Sequence, residues 1–167
     1  MIASATVQFY DVLLFFHIAA VVVGFGPTFA YGFFQAVAAR SGMRASLGVT
    51  RAIVAWHTTG LTICMVIVFL SGMYLASYDY WSYGDFFISW GFVAILILFG
   101  LVHAYFLPND KRMVVMLEQE VAKPGGGEST EPPAAITEHG ARIARVGIAT
   151  GVLIILTIYV MTAKPFL

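Results

Sequence analysis

The side chains of this chain suited both to bind a metal and to pass a proton near neutral pH are four histidines, His17, His57, His103 and His139. His17 lies inside FFHIAAVVVGFGPTF, residues 15–29, with apolar residues on both sides. A bilayer offers no water to its ring nitrogens, so something else must satisfy them. A neutral imidazole can donate to a carbonyl on a facing helix and accept from a hydroxyl, with no cofactor involved. Alternatively, two neutral imidazoles on facing helices can hold a b-type haem iron, with small residues beside them making room for the macrocycle.

Depth sorts the possible pairs. His57 follows Arg51 by six residues and His103 precedes Pro108 by five, which puts both within about 10 Å of one membrane edge. His17 lies in the other half, about 10 Å or more away along the normal. Geometry therefore favours His57 with His103 and leaves His17 for a second site or a proton path. Arg51, Arg142 and Arg145 are forked donors able to meet haem propionates. His139, beside Glu138 and Gly140, reads as interfacial. A bare metal ion would draw on the same His57, His103 and His17, but with no H-x-x-x-H or C-x-x-C pairing they suit a closed tetrahedral site poorly. No carboxylate reads as deep enough to orient a histidine, since Asp11 is at a boundary, and this argues against hydrolytic chemistry. The single Cys64 excludes an intrachain disulfide and reads as a small buried hydrophobe.

The elements that position these rings follow from composition. Of 167 residues, 60% are hydrophobic and 11% charged, and the mean hydropathy of +0.86 is that of a membrane protein. Basic and acidic residues cancel, so net charge predicts no nucleic-acid partner. Stretches near Phe9 to Val37, Ile53 to Ser77, Phe86 to Leu107 and Ile143 to Met161 are each long enough to cross about 30 Å of hydrocarbon, and must be helical there. Arg40, Arg44 and Arg51 fall between the first two spans, and Lys111, Arg112, Lys123, Arg142 and Arg145 between or beside the last two. The positive-inside rule then predicts an inner (plasma) membrane protein with basic connections in the cytoplasm and both termini extracytoplasmic. SYDYWSYGDFF, with Asp79, Asp85, Tyr78, Tyr80, Trp81 and Tyr83, becomes the outer connection, its aromatics an interfacial belt together with Trp90.

Residues 1–167 read as a single all-α domain, a four-transmembrane-helix bundle. Within it, Asn109 or Asp110 is expected to cap an amphipathic helix over 108–121 lying along the inner surface, and 122–138, with KPGGGESTEPPAA, to be a flexible cytoplasmic linker. Helical spacing lines up His17, Val21, Gly24, Thr28 and Tyr31, with Gly24, Thr28 and Gly32 as a small-residue ridge beside them. Pro27 deprives the Val23 carbonyl of its partner and predicts a bend. His57, Gly60, Cys64 and Ser71 share a face, Gly100 precedes His103, and Gly147 and Gly151 lie four apart, so each span has one small or polar side to turn inward.

FHIAAVVVGFGPTFAYGFF, FLSGMYLASY, GLVHAYFLPNDKR and YVMTAKPF together resemble a superfamily of four-helix bacterial membrane proteins. It includes the HemJ-type protoporphyrinogen oxidases, copper-resistance D-like proteins, and a predicted integral membrane family of unknown function to which the chain is most similar. By this resemblance His17 and His103 match first-span and third-span histidines of the oxidases, and Lys164, Pro165 and Phe166 their terminal Lys-Pro-Phe; it implies haem or porphyrin handling. The oxidases carry a basic residue late in the first span and a lysine early in the third, where this chain reads FAYGFF and ISWGFVAIL. Oxidase activity is therefore not what the resemblance implies here.

Two functions remain as expectations. One is a membrane component without catalysis of its own, accessory or transport-related, whose imidazoles are structural and whose partners are the bilayer and another membrane protein or a second copy. The other is a b-type haem redox protein in which His103 with His57 or His17 ligates iron.

Overall fold

A computed structural model describes residues 8–78 and 82–165; Asp79, Tyr80, Trp81 and Phe166, which entered the sequence reading, lie outside them. The described residues form four long helices and no strand: α1 (Phe9–Arg40), α2 (Met43–Ala76), α3 (Phe86–Val121) and α4 (Ala134–Ala163), each long and apolar enough to span a membrane. The described ends and the α2–α3 connection lie at one end of the bundle, here the termini end. The α1–α2 and α3–α4 connections, with most of the arginines and lysines, form the basic end. Large apolar side chains such as Phe15, Phe33, Ile148 and Tyr159 are exposed on the outside, as a lipid-facing surface requires.

Each helix departs from α geometry where its sequence demands it. In α1, Pro27 has no N–H to donate, and Gly26–Ala30 tightens into a 3₁₀ turn. The Gly24 carbonyl beside this turn accepts from the Trp56 indole at 3.4 Å, tying α1 to α2. Close approach is possible there because Gly24 lacks a Cβ, which would stand 2.6 Å from that of Cys64. Cys64 is buried and unpaired, as its surroundings predicted. α2 and α3 contain π turns at Trp56–Leu61 and Leu101–Phe106, and these carry His57 and His103. The Thr62 hydroxyl donates to the His57 carbonyl at 2.8 Å, five residues back, at the end of the first of them.

The region after Pro108 is where the structure departs from expectation. Residues 108–121 are helical, yet Asn109 and Asp110 cap nothing, because α3 runs through Pro108 without a break. The π turn just before absorbs the missing proline N–H, and the Asn109 amide donates to the Tyr105 carbonyl at 2.7 Å. The continued helix packs Met113 and Leu117 against Met43 and Leu47 of α2 and Ile136 of α4. Arg51 of α2 pairs with Glu118 of α3 at 2.7 Å on an exposed face, a contact worth at most about 1 kcal/mol.

The non-helical connection runs only as far as Pro133, and residues 134–138 open α4. The connection is docked, since Met43 N–H donates to the Ser129 carbonyl and Arg44 N–H to the Gly127 carbonyl, both at 3.0 Å. These satisfy two of the orphan donors at the start of α2. Gly42, at φ 106°, makes the reversal that permits it.

The small-residue sides are inward only in part. A Cβ at Gly24, Gly72, Gly91 or Gly151 would meet a side chain of another helix, whereas at Gly32, Gly100 and Gly147 it would meet nothing within 4 Å.

Candidate functional site

α1 packs along α2, α2 against α3, and α3 against α4, but α1 and α4 touch little. They approach where the Phe29 ring reaches the backbone of Gly151. Towards the termini end a cleft of about 530 Å³ opens among all four helices. Its walls are mostly apolar, with Val21 and Phe25 of α1, Val68 of α2, Ile95 of α3 and Ile154 of α4 among them. Two glycines keep it open: a Cβ at Gly91 would run into Met161, and one at Gly72 would come 3.3 Å from the His17 ring.

Polar atoms in these walls are few, and hydrogen-bond accounting separates them. Thr157 accepts from the Trp90 indole at 3.2 Å and donates to the Leu153 carbonyl at 2.8 Å, so its hydroxyl proton is used. Lys164 stands at the rim with its ammonium 5.6 Å from the Phe87 ring centroid, a cation–π distance. His17 Nδ1 is 2.9 Å from Ser71 Oγ, and that hydroxyl gives its own proton to the Ile67 carbonyl at 2.5 Å. Ser71 can then only accept from His17, so Nδ1 carries the ring proton and Nε2 of the neutral ring keeps a lone pair.

A second polar cluster occupies the basic half. His57 Nδ1 lies 2.9 Å from Asp110 Oδ2, and the two residues are only 4% and 6% exposed. The His57 ring meets Tyr31 edge-on at 5.5 Å and Phe106 at 6.0 Å. The Tyr31 hydroxyl is buried without a hydrogen-bond partner among the described residues. His103 stacks on Phe99 at 4.2 Å, with Nδ1 3.0 Å from the Phe99 carbonyl and Nε2 3.2 Å from Thr62 Oγ1. His139, expected at the interface, is buried and donates from Nε2 to the Asn109 carbonyl at 3.0 Å.

The expectation that no carboxylate orients a histidine is therefore corrected. Asp110 lies on a helix that continues past Pro108, on the face it shares with Val102, Phe106, Met113 and Leu117, all buried. Those steps of four, four, three and four residues were present in the sequence as a sign that the helix goes on.

A family model described as a predicted integral membrane protein (DUF2269) matches residues 11–165, from the first turn of α1 to just beyond α4. The chain belongs to this family. No curated protein and no solved structure matches it.

In this DUF2269 chain the candidate ligands are distributed over two places. His57 and His103 share the basic half and are linked through Thr62, but their rings have different neighbours: His57 faces Asp110, Tyr31 and Phe106, while the His103 ring lies between the Phe99 carbonyl and Thr62 Oγ1 and, when neutral, has one proton to give to either. His17 contacts α2 at Ser71 and His103 contacts it at Thr62, about 13 Å apart along the helix. Arg142 and Arg145 are exposed on α4. The Arg145 guanidinium bonds its own helix at Ala141, and Arg51 is held by Glu118. Among the described residues no three or more His, Cys, Asp or Glu side chains converge as a metal-holding group. Ligation of any group through His103 would compete with its contacts to Phe99 and Thr62, and Arg142 and Arg145 lie on an exposed part of α4.

Proposed function

We propose that the protein is a membrane component without catalysis of its own that holds a lipid-soluble guest in its central cleft, as an accessory or transport-related part of a larger system. The cleft carries this reading: about 530 Å³ of mostly apolar space is within the range of small-molecule sites. Every histidine has a hydrogen-bond partner within the chain, which supports structural imidazoles over cofactor ligands. All nine basic residues except Lys164 lie at or near the basic end, so we place that end in the cytoplasm and the termini outside, in the inner membrane. The kinship with HemJ-type oxidases is a proposal about ancestry and brings no activity with it.

The test is to release the full chain from lipid nanodiscs into native mass spectrometry. An added mass retained by the native protein and lost from Gly91→Phe, whose side chain would fill the cleft, is expected. Equal retention by both would overturn the reading. Protein made with ample haem supply is expected to lack a Soret band; a band abolished by His17→Ala or His103→Ala would establish the haem alternative instead.

A further inference from the structure

The cleft is apolar, yet one of its few polar atoms is fixed in a single role. The Ser71 hydroxyl proton goes to the Ile67 carbonyl at 2.5 Å, the Ser71 oxygen takes the His17 Nδ1 proton at 2.9 Å, and the Val68 carbonyl stands on that same α2 wall. Helix α2 thus presents acceptors to the ring and holds its proton on Nδ1. The side-chain hydrogen bond of the ring is the one from Nδ1 to Ser71, and His17 lines the cleft. An acceptor facing apolar space is satisfied by a guest that brings a proton donor. The Thr157 hydroxyl, already donating to Leu153 and accepting from Trp90, does not compete for that role.

We propose that the guest is a lipid-soluble hydroxyl compound, a phenol or quinol by class, whose O–H donates to His17 Nε2 while its apolar body lies between Val68, Ile95 and Ile154. This rests on the cleft reading given above and adds the polarity of the contact. A phospholipid acyl chain has no donor and gains nothing from His17. A guest carrying only carbonyl or ether oxygens would set lone pair against lone pair.

The test compares a 4-alkylphenol with its methyl ether, two probes with nearly the same apolar body and one O–H between them. Each is titrated into the full chain in nanodiscs, with saturable change in tryptophan emission as the readout. The phenol is expected to bind about tenfold more tightly than the ether. His17→Phe is expected to bind both alike. Ser71→Ala frees the ring to place its proton on Nε2 and is expected to narrow the phenol preference, with the ether, whose oxygen can then accept from Nε2–H, binding more tightly than in the native protein. Saturable binding of both probes with no preference in the native protein, or a preference that survives His17→Phe, overturns this inference and leaves the cleft reading standing. If neither probe binds saturably, both are overturned.

Discussion

At the scale of single residues, the His57–Asp110 contact and the Tyr31 hydroxyl make opposite demands on stability. Asp110→Ala leaves the His57 N–H buried without an acceptor, at a cost of about 1–3 kcal/mol, while Asp110→Asn keeps an acceptor oxygen and costs less. Unfolding in mild detergent reads the difference, and equal losses would show that the hydrogen bond is not what Asp110 supplies. Tyr31→Phe removes a buried hydroxyl with no partner among the described residues, so stability is expected to stay level or rise by about 1 kcal/mol. A marked fall would mean that the hydroxyl has a partner in the membrane. His17 and Cys64 were readable from sequence because each sits in a continuous apolar run whose environment admits few alternatives. Asp110 was not, because a proline two residues before it looked like a helix end, and only the burial of Val102, Phe106, Met113 and Leu117 around it shows that the face continues.

At the scale of elements, the 3₁₀ turn at Pro27 is where the chain lacks one N–H, and four spans follow from hydropathy alone. The π turns at Trp56–Leu61 and Leu101–Phe106 do not. One extra residue per turn leaves no compositional mark, and its effect is to shift every later side chain by about 100° around the helix. Gly60, expected to make room for a neighbouring helix, instead makes room for Trp56 of its own turn. Packing of α1 on α2 rests on backbone proximity at Gly24, where an added Cβ would stand 2.6 Å from the Cys64 Cβ. Gly24→Ala is expected to destabilise by about 1–3 kcal/mol, and Cys64→Gly in the same chain to restore much of it. Additive losses in that double variant would show that the two helices do not meet there. The α3–α4 connection read as flexible because its Gly and Pro content cannot form a core. What that composition could not show is that free carbonyls at Gly127 and Ser129 are what the exposed start of α2 lacks.

At the scale of the whole molecule, four helices surround the central cleft, and α1 and α4 touch little. Cysteine placed at Ser82 is expected to react with a membrane-impermeant maleimide from outside intact cells, and cysteine at Ser129 only after lysis; the reverse pattern would invert the proposed orientation. Gly32, Gly100 and Gly147 face open space, so stripes that looked like internal packing in the sequence are partly external. The central claim is that the cleft is a binding site rather than a gap filled by bulk lipid. Its most direct measurement is photo-crosslinking with a diazirine-bearing alkylphenol in native membranes, mapped by residue. Labels at Val21, Val68, Ile95 and Ile154 that an excess of unlabelled alkylphenol removes, beside labels at Ile148 and Val152 that it does not, are the expected result. Labelling confined to Ile148, Val152 and other lipid-facing positions, or cleft labels that no excess displaces, would contradict it.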